Sequence, residues 1–471
     1  VDDAVSSSFN LFYLQDKTDQ TTRKVLSYNN SSLFSKFSVR RKRIKLVNKT
    51  GLLSLHTPSG RALTFIIGVM FLNGLGFTII GPVLPFIIRE YLTSPDDLGA
   101  VVSWLTLAYA ACQIIAAPGL GLLSDRYGRR PMLLICLVGS AIGYLLFGLG
   151  GSLAMLFASR IIDGLTGGNF SIAFAYIADT TEPEERGKVF GMVGAVTGIS
   201  FIAGPVIGGL LAKLSLQAPV YLAAGLTLLG LVWAYFFLPE SLPTPQRRNE
   251  IKLAELNPFA QLGKVMTIKP LRPLLIVGML YAFPFAVLTT NFGVLIIDSL
   301  QWDATSIGFI SLTVGIMDIL VQGMLIGKLL PIFGAVKLIN TGLLCQALAY
   351  GLIGLIAVVP SPVALIAGTA LFAFGSGLIE PPLAGLTSAA VGSEEQGIVG
   401  GASQSLQALT RVIGPVWVGV LYSQFGHATP YWVNLIFVGL GIMVMLKVRT
   451  GSHTAAASKP ETSPAEQVET L

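Results

Sequence analysis

Runs of about twenty or more mostly apolar residues recur along the whole chain, from near Leu63 to near Val448. They lie near 63–88, 98–122, 131–149, 152–178, 187–212, 219–238, 273–298, 304–329, 335–358, 361–390, 398–423 and 431–448. The hydrocarbon core of a bilayer is ~30 Å thick, and a helix needs about 20 residues to cross it. Inside it every backbone N–H and C=O must be bonded within the protein, so such runs are helices. The series predicts an all-α membrane protein of about twelve transmembrane helices. Composition agrees: 53% of the 471 residues are hydrophobic and 12% charged, against roughly 25% charged in a soluble domain. That is too little polar surface to cover a globule of this size in water.

Lys and Arg set the expected orientation, because they collect in cytoplasmic loops. Arg126, Arg129, Arg130, Arg186, Lys188, Lys328 and Lys337 follow even-numbered runs, whereas the opposite loops hold only Arg89 and Lys213. Both termini and the long loop 239–272 are therefore expected in the cytoplasm. That loop carries Arg247, Arg248, Lys252, Lys264 and Lys269 and separates a half at 62–238 from a half at 273–448. Residues 1–61 are rich in Ser, Asn, Thr and Lys, with a basic cluster Arg40–Lys45. No apolar segment with a cleavage site is present there, so no secretory signal is read. Asp2, Asp3, Asp16 and Asp19 speak against a transit peptide. The expectation is a disordered cytoplasmic tail whose basic cluster touches anionic lipid, the rival being a meaningless extension from an upstream start codon. Residues 449–471 are expected to form a second disordered tail.

The halves are related in sequence. A shift of 210 residues lays Glu184-Glu185-Arg186-Gly187 on Glu394-Glu395-Gln396-Gly397, Gly191 on Gly401, Gly204-Pro205-Val206 on Gly414-Pro415-Val416, and Gly209 on Gly419. A slightly different offset lays Gly121 and Gly128 on Gly327 and Gly334. A parallel repeat of two six-helix halves is the trace of an alternating-access transporter with its site between the halves, near mid-membrane.

The loop after the second run reads Gly121-Leu-Leu-Ser-Asp125-Arg126-Tyr-Gly128-Arg129-Arg130. The glycines permit a tight turn and close helix approach. Asp125 is an anion suited to a helix N-terminus, and the arginines hold the loop inside. This segment resembles the G-x-x-x-D-R-x-G-R-R signature of the major facilitator superfamily, and the resemblance covers residues 62 to 448. It implies that Asp125 latches the cytoplasmic side shut against the start of the eleventh run, near Gly397 to Gly401; the plainer reading is a topology marker. In the second half the matching position holds Pro331, so only one half keeps a full latch. Arg160-Ile-Ile-Asp163-Gly164 in the fourth run is similar to the family's R-x-x-x-G motif. Arg160 and Asp163 share a helix face and can pair, as a structural ion pair or a proton-coupling pair. Gly204-Pro205-Val-Ile-Gly208-Gly209 in the fifth run resembles the G-P-x-x-G-G motif seen mostly in proton-coupled exporters. Its Pro bends the helix and its small residues allow close packing, which is also the plainer reading. The stretches 81–85, 175–179 and 184–187 look like tetracycline/proton antiporters and related multidrug exporters. Those tetracycline carriers keep acids at two positions that here are Asn73 and Gly143, which points to the wider drug-exporter branch rather than to tetracycline.

Asp318, Glu380 and Arg411 add intramembrane charge. Ionisable groups at that depth are costly and usually face the interior, and a buried carboxyl is one that can exchange a proton near neutral pH. Asp163, Asp318 and Glu380 are the proton-coupling candidates, with Arg160 and Arg411 as charge partners. Asn73, Gln113, Asn169, Asn291 and Gln322 are candidates for the cavity wall, or else helix-packing glue. The leading expectation is a proton-driven antiporter that expels an amphiphilic drug or metabolite. The alternative is an importer or facilitator of a sugar, organic acid or peptide, for which Arg160 and Arg411 leave room for an anionic substrate. An enzyme or receptor is disfavoured: His56, His427 and His453 lie outside the spans or at their edges, and no phosphate-cradling loop, metal spacing or nucleophile elbow is present. Cys112, Cys136 and Cys345 fall in apolar runs and read as small hydrophobes, with no disulfide framework. No cofactor, metal or nucleic acid is expected, since the net charge of +6 resides in loops. The expected partners are a small-molecule solute, protons and lipid. A monomer in a bacterial inner membrane completes the expectation.

Overall fold

The structure is a computed structural model, and it describes residues 58–247, 268–391 and 396–448. The basic cluster 40–45, His56, His453, the middle of the loop 239–272 and the tail 449–471 lie outside the described residues. The chain divides into two units, 1–64 and 65–471. The first is described only as the opening turns of a helix that starts at Pro58, a few residues before the expected boundary. Pro suits the first turn, where its missing N–H would have no partner anyway.

The first half contains α1 (Pro58–Ile79), α2 (Leu84–Arg89), α3 (Leu98–Tyr127), α4 (Arg129–Leu149), α5 (Leu153–Leu165), α6 (Asn169–Thr180), α7 (Pro183–Leu211) and α8 (Ala218–Phe237). The second half contains α9 (Arg272–Leu300), α10 (Ala304–Asp318), a π-helical stretch (Ile319–Leu325), α11 (Ile326–Phe333), α12 (Ala335–Ile356), α13 (Pro362–Ala389), α14 (Gln396–Phe425) and α15 (Thr429–Leu446). No strand occurs among the described residues.

Three runs are not the continuous helices the apolar pattern suggests. The first breaks at Gly81-Pro82 into α1 and α2, since Pro has no N–H to continue the ladder. The fourth breaks between α5 and α6 at Gly167-Gly168, where helix is least favourable. The eighth passes through the π-helical stretch around Gly323, a device frequent at functional sites. Eleven helices among the described residues are long and apolar enough to cross a membrane. The eleventh run, α14, is not one of them, although its 30 residues give a length of about 45 Å. Ser403, Gln404, Ser405, Gln407 and Arg411 make it polar.

One end of the bundle is packed shut between the halves. There α7 meets α10 and α3 meets α14. At the other end, near the 121–131 turn, a Cβ added to Gly121, Gly194, Gly198, Gly323 or Gly327 would meet no described atom within 4 Å. The helices are splayed at the end that carries the 121–130 motif and joined at the opposite end.

Candidate functional site

The turn at the splayed end is built around Gly128, whose φ of +108° admits no ordinary side chain. It ends α3 and starts α4. The Arg129 side chain is buried and joins Asp125 (Nη1–Oδ1 2.5 Å) and Asp179 at the end of α6 (Nε–Oδ2 3.0 Å). It also donates to Ser124 Oγ at 2.7 Å. Glu240, just past α8, accepts from the backbone N–H groups of Arg129 at 2.9 Å and Arg130 at 3.3 Å. A carboxylate there satisfies the orphan donors and complements the dipole of α4. Arg247 adds an ion pair to Glu240 at 3.7 Å. Arg130 Nη2 donates to the Tyr235 carbonyl, and exposed Arg126 lies over the Tyr127 ring. The expected docking of Asp125 on the start of the eleventh run concerns Gly397 to Gly401, whose side chains lie mostly outside the described set. In the second half Gly334 repeats the positive φ, at 75°, but Pro331 replaces the acid. No local sequence signal marks Glu240; it is more than a hundred residues away, and only the fold brings it to Gly128.

The joined end depends on small residues. Gly204 and Gly208 of α7 lie against Thr78 and Ile79 of α1. Gly209 lies against Thr305 and Gly308 of α10, where Thr305 Oγ1 donates to the Gly209 carbonyl at 2.8 Å. Pro205 faces Gly308. The motif thus packs one helix against its own half and against the other half at once, as well as housing a proline. On the other side of this end, Tyr422 of α14 fills the space beside Gly99 of α3 and donates to Asp298 Oδ2 at 2.5 Å. His427 stacks on Tyr422 with ring centroids 4.3 Å apart.

Arg160 and Asp163 on α5 are both buried and lie 3.6 Å apart (Nη1–Oδ2). Arg160 sits over the rings of Phe147 (4.7 Å) and Tyr144 (5.7 Å), contacts that offset part of the cost of a buried cation. Gly143 of α4 completes the nest: a Cβ there would lie 2.9 Å from Asp163 Cβ and 3.1 Å from the Ser159 carbonyl. Asp163 of the neighbouring helix thus abuts Gly143, one of the two positions compared above with an acid of the tetracycline carriers. Asn73 and Asn169 line a small void of about 10 Å³, enough at most for one water. Asn291 is wholly buried in α9. Of the five polar cavity-wall candidates, Gln113 and Gln322 are the accessible ones.

In the second half, Tyr281 of α9 donates to Glu380 Oε1 of α13 at 2.8 Å. Gln322 donates to Asp318 Oδ1 at 3.3 Å, across the π-helical turn. Asp318 and Glu380 lie within Coulombic range of each other. Arg411 of α14 makes no ion pair with either acid among the described residues; its electrostatic neighbour is Tyr109 of α3, across the gap between the halves. A larger groove of about 520 Å³ lies between α4 and α8, lined by apolar side chains such as Ile135, Val138 and Phe236. It has no polar group to orient a solute. No metal-holding cluster of His, Cys, Asp or Glu occurs among the described residues.

Residues 66–415 and 274–469 match the model of the Major Facilitator Superfamily. The chain belongs to the Major Facilitator Superfamily. It is 32% identical over 407 residues to the class C tetracycline resistance protein of Escherichia coli, covering 85% of this chain and 99% of that one. It is 28% identical over 402 residues to multidrug resistance protein 1 of Bacillus subtilis, covering 84% and 98%. Among solved structures, the human organic anion transporter MFSD10 aligns with a TM-score of 0.63 and 26% identity, over 83% of this chain and all of that one. As a superfamily member the protein is a multi-pass membrane transporter and not an enzyme. The small-residue contacts and the ionic turn lie at opposite ends of the bundle.

Proposed function

We propose that this protein exports a drug-like or small amphiphilic solute in exchange for protons, by alternating access of two six-helix halves, with α14 added to the other spans to make twelve. In this reading it works as a monomer in a bacterial inner membrane, with both termini and the Gly128 turn in the cytoplasm. The observation that carries the coupling is the pair Asp318 and Glu380 on facing helices, tied to Gln322 and Tyr281. Intramembrane acids held in this way equip pumps and transporters for taking up and releasing a proton. The tetracycline and multidrug resistance proteins among the relatives support export as the direction.

With the splayed end toward the cytoplasm, solute enters between α3, α7, α10 and α14. Closure brings the open glycine faces together and engages the Asp125–Arg129–Asp179 cluster as a latch. Separation of Gly209 from Thr305 and of Tyr422 from Gly99 then releases solute outward, and proton binding at the acid pair resets the halves. The test is accumulation of a fluorescent drug in inverted vesicles under an imposed pH gradient. Asp318→Asn and Glu380→Gln are expected to reduce gradient-driven accumulation at least tenfold while leaving solute exchange without a gradient. Accumulation by the unaltered protein that ignores the gradient would remove the coupling.

A further inference from the structure

Arg411 is fifteen residues from the first and fourteen from the last residue of α14, which places it at the middle of the span. Half of the ~30 Å hydrocarbon core separates it from either interface, beyond what an Arg side chain can snorkel. A guanidinium at that depth persists where it faces a polar cavity or a counter-ion. The side chain is exposed, and no carboxylate among the described residues lies within ion-pair distance of it. On the facing half, the buried acid Asp163 is already paired with Arg160.

Its direction follows from helix geometry. Tyr422 lies eleven residues on, about three turns of 3.6 residues, and so shares its face. Tyr422 faces Gly99 of α3. Arg411 therefore looks at α3 as well, deeper in the bundle, where Tyr109 is its electrostatic neighbour. Gln113 Nε2 donates to Tyr109 Oη at 3.1 Å and to the Gly167 carbonyl at 3.2 Å. The tyrosine oxygen accepts there, and its own hydrogen remains to be given. Phe77 lies beside Tyr109, ring centroids 6.0 Å apart, and is itself exposed.

We infer that Arg411 and Tyr109 form an anion subsite that selects a solute bearing a carboxylate or sulfonate on an aromatic body. The guanidinium and the phenol O–H supply charged and neutral donors to the anion's oxygens, and the Phe77–Tyr109 pair supplies the apolar wall. The inference rests on the exporter reading and narrows its substrate to organic anions.

The probes are dansylglycine, its methyl ester and dansylcadaverine: one aromatic body carrying an anion, no charge or a cation. Fluorescence titration of the purified full chain is expected to give dansylglycine an affinity about tenfold above the ester, and the cation the weakest. Arg411→Gln is expected to bring the anion-to-ester ratio near one. Arg411→Lys should restore part of it, since the charge returns without the planar fork, and it guards against reading misfolding as lost recognition. Equal or tighter binding of ester or cation by the unaltered protein, a ratio unmoved by Arg411→Gln, or no binding of any probe would overturn the subsite. If the ratios are as expected but gradient-driven uptake of dansylglycine into inverted vesicles is absent, the exporter reading fails while the anion subsite stands.

Discussion

At the scale of single residues, Gly143 and Asp163 behave as one feature. Gly143→Ala puts a methyl group 2.9 Å from Asp163 Cβ and 3.1 Å from a backbone carbonyl, and α4 or α5 must shift. Overpacking of this kind costs about 1–3 kcal/mol, so a lower unfolding temperature of the purified variant is expected. An unchanged melt would show that the nest is looser than described. Asp303 makes a pH-dependent contribution. Its carboxylate accepts from Ser306 N (2.9 Å) and Ser306 Oγ (2.6 Å), capping α10. These bonds hold its pKa below the ordinary aspartate value. The native state therefore favours the ionised form, and the stabilisation is present above about pH 3.9 and fades as pH falls through the lower native value. Asp303→Ala should cost about 1 kcal/mol at pH 7. The gap between the two proteins' melts should narrow in acid below pH 4; a gap that widens there would contradict the cap.

At the scale of elements, the two ends of the bundle make separate demands. Gly99→Leu drives a side chain into Tyr422 and should part α3 from α14 at the joined end. A cysteine reporter placed beside it is expected to become more reactive toward a water-soluble thiol reagent, and solute exchange should fall. Unaltered reactivity would mean that Tyr422 does not seal this end. Glu240→Ala uncaps α4 and frees Arg247; it should lower stability by about 1–2 kcal/mol and loosen the Gly128 turn, read as faster amide exchange at Arg129 and Arg130. The sequence already disclosed much of this. Apolar runs located the helices because lipid demands them, and i,i+3 spacing joined Arg160 to Asp163. The breaks were harder to see: Gly81-Pro82 and Gly167-Gly168 sit inside hydrophobic stretches that hydropathy alone reads through. Glu240 with Gly128 and Tyr281 with Glu380 are long-range pairs. No local pattern encodes them, and they appear only when helices distant in the chain pack side by side.

At the scale of the whole molecule, two repeated halves meet through small residues at one end and stand apart at the other. Glycine contacts such as Gly209 with Thr305 keep little side-chain interdigitation to undo, and in the proposed cycle that lets two packed surfaces part as bodies rather than melt. In the proposed cycle the ionic turn at the far end gives the opposite closure something to hold. The most direct measurement of the rocking claim uses spin labels on two pairs of exposed sites, Tyr127 with Phe333 at the splayed end and Leu214 with Gln301 at the joined end. Distance distributions are recorded in nanodiscs with and without dansylglycine, at neutral and acid pH. Rocking predicts one population in which the first distance shortens as the second lengthens, under at least one of these conditions. Distances that stay fixed under all of them, or that lengthen together, would contradict it.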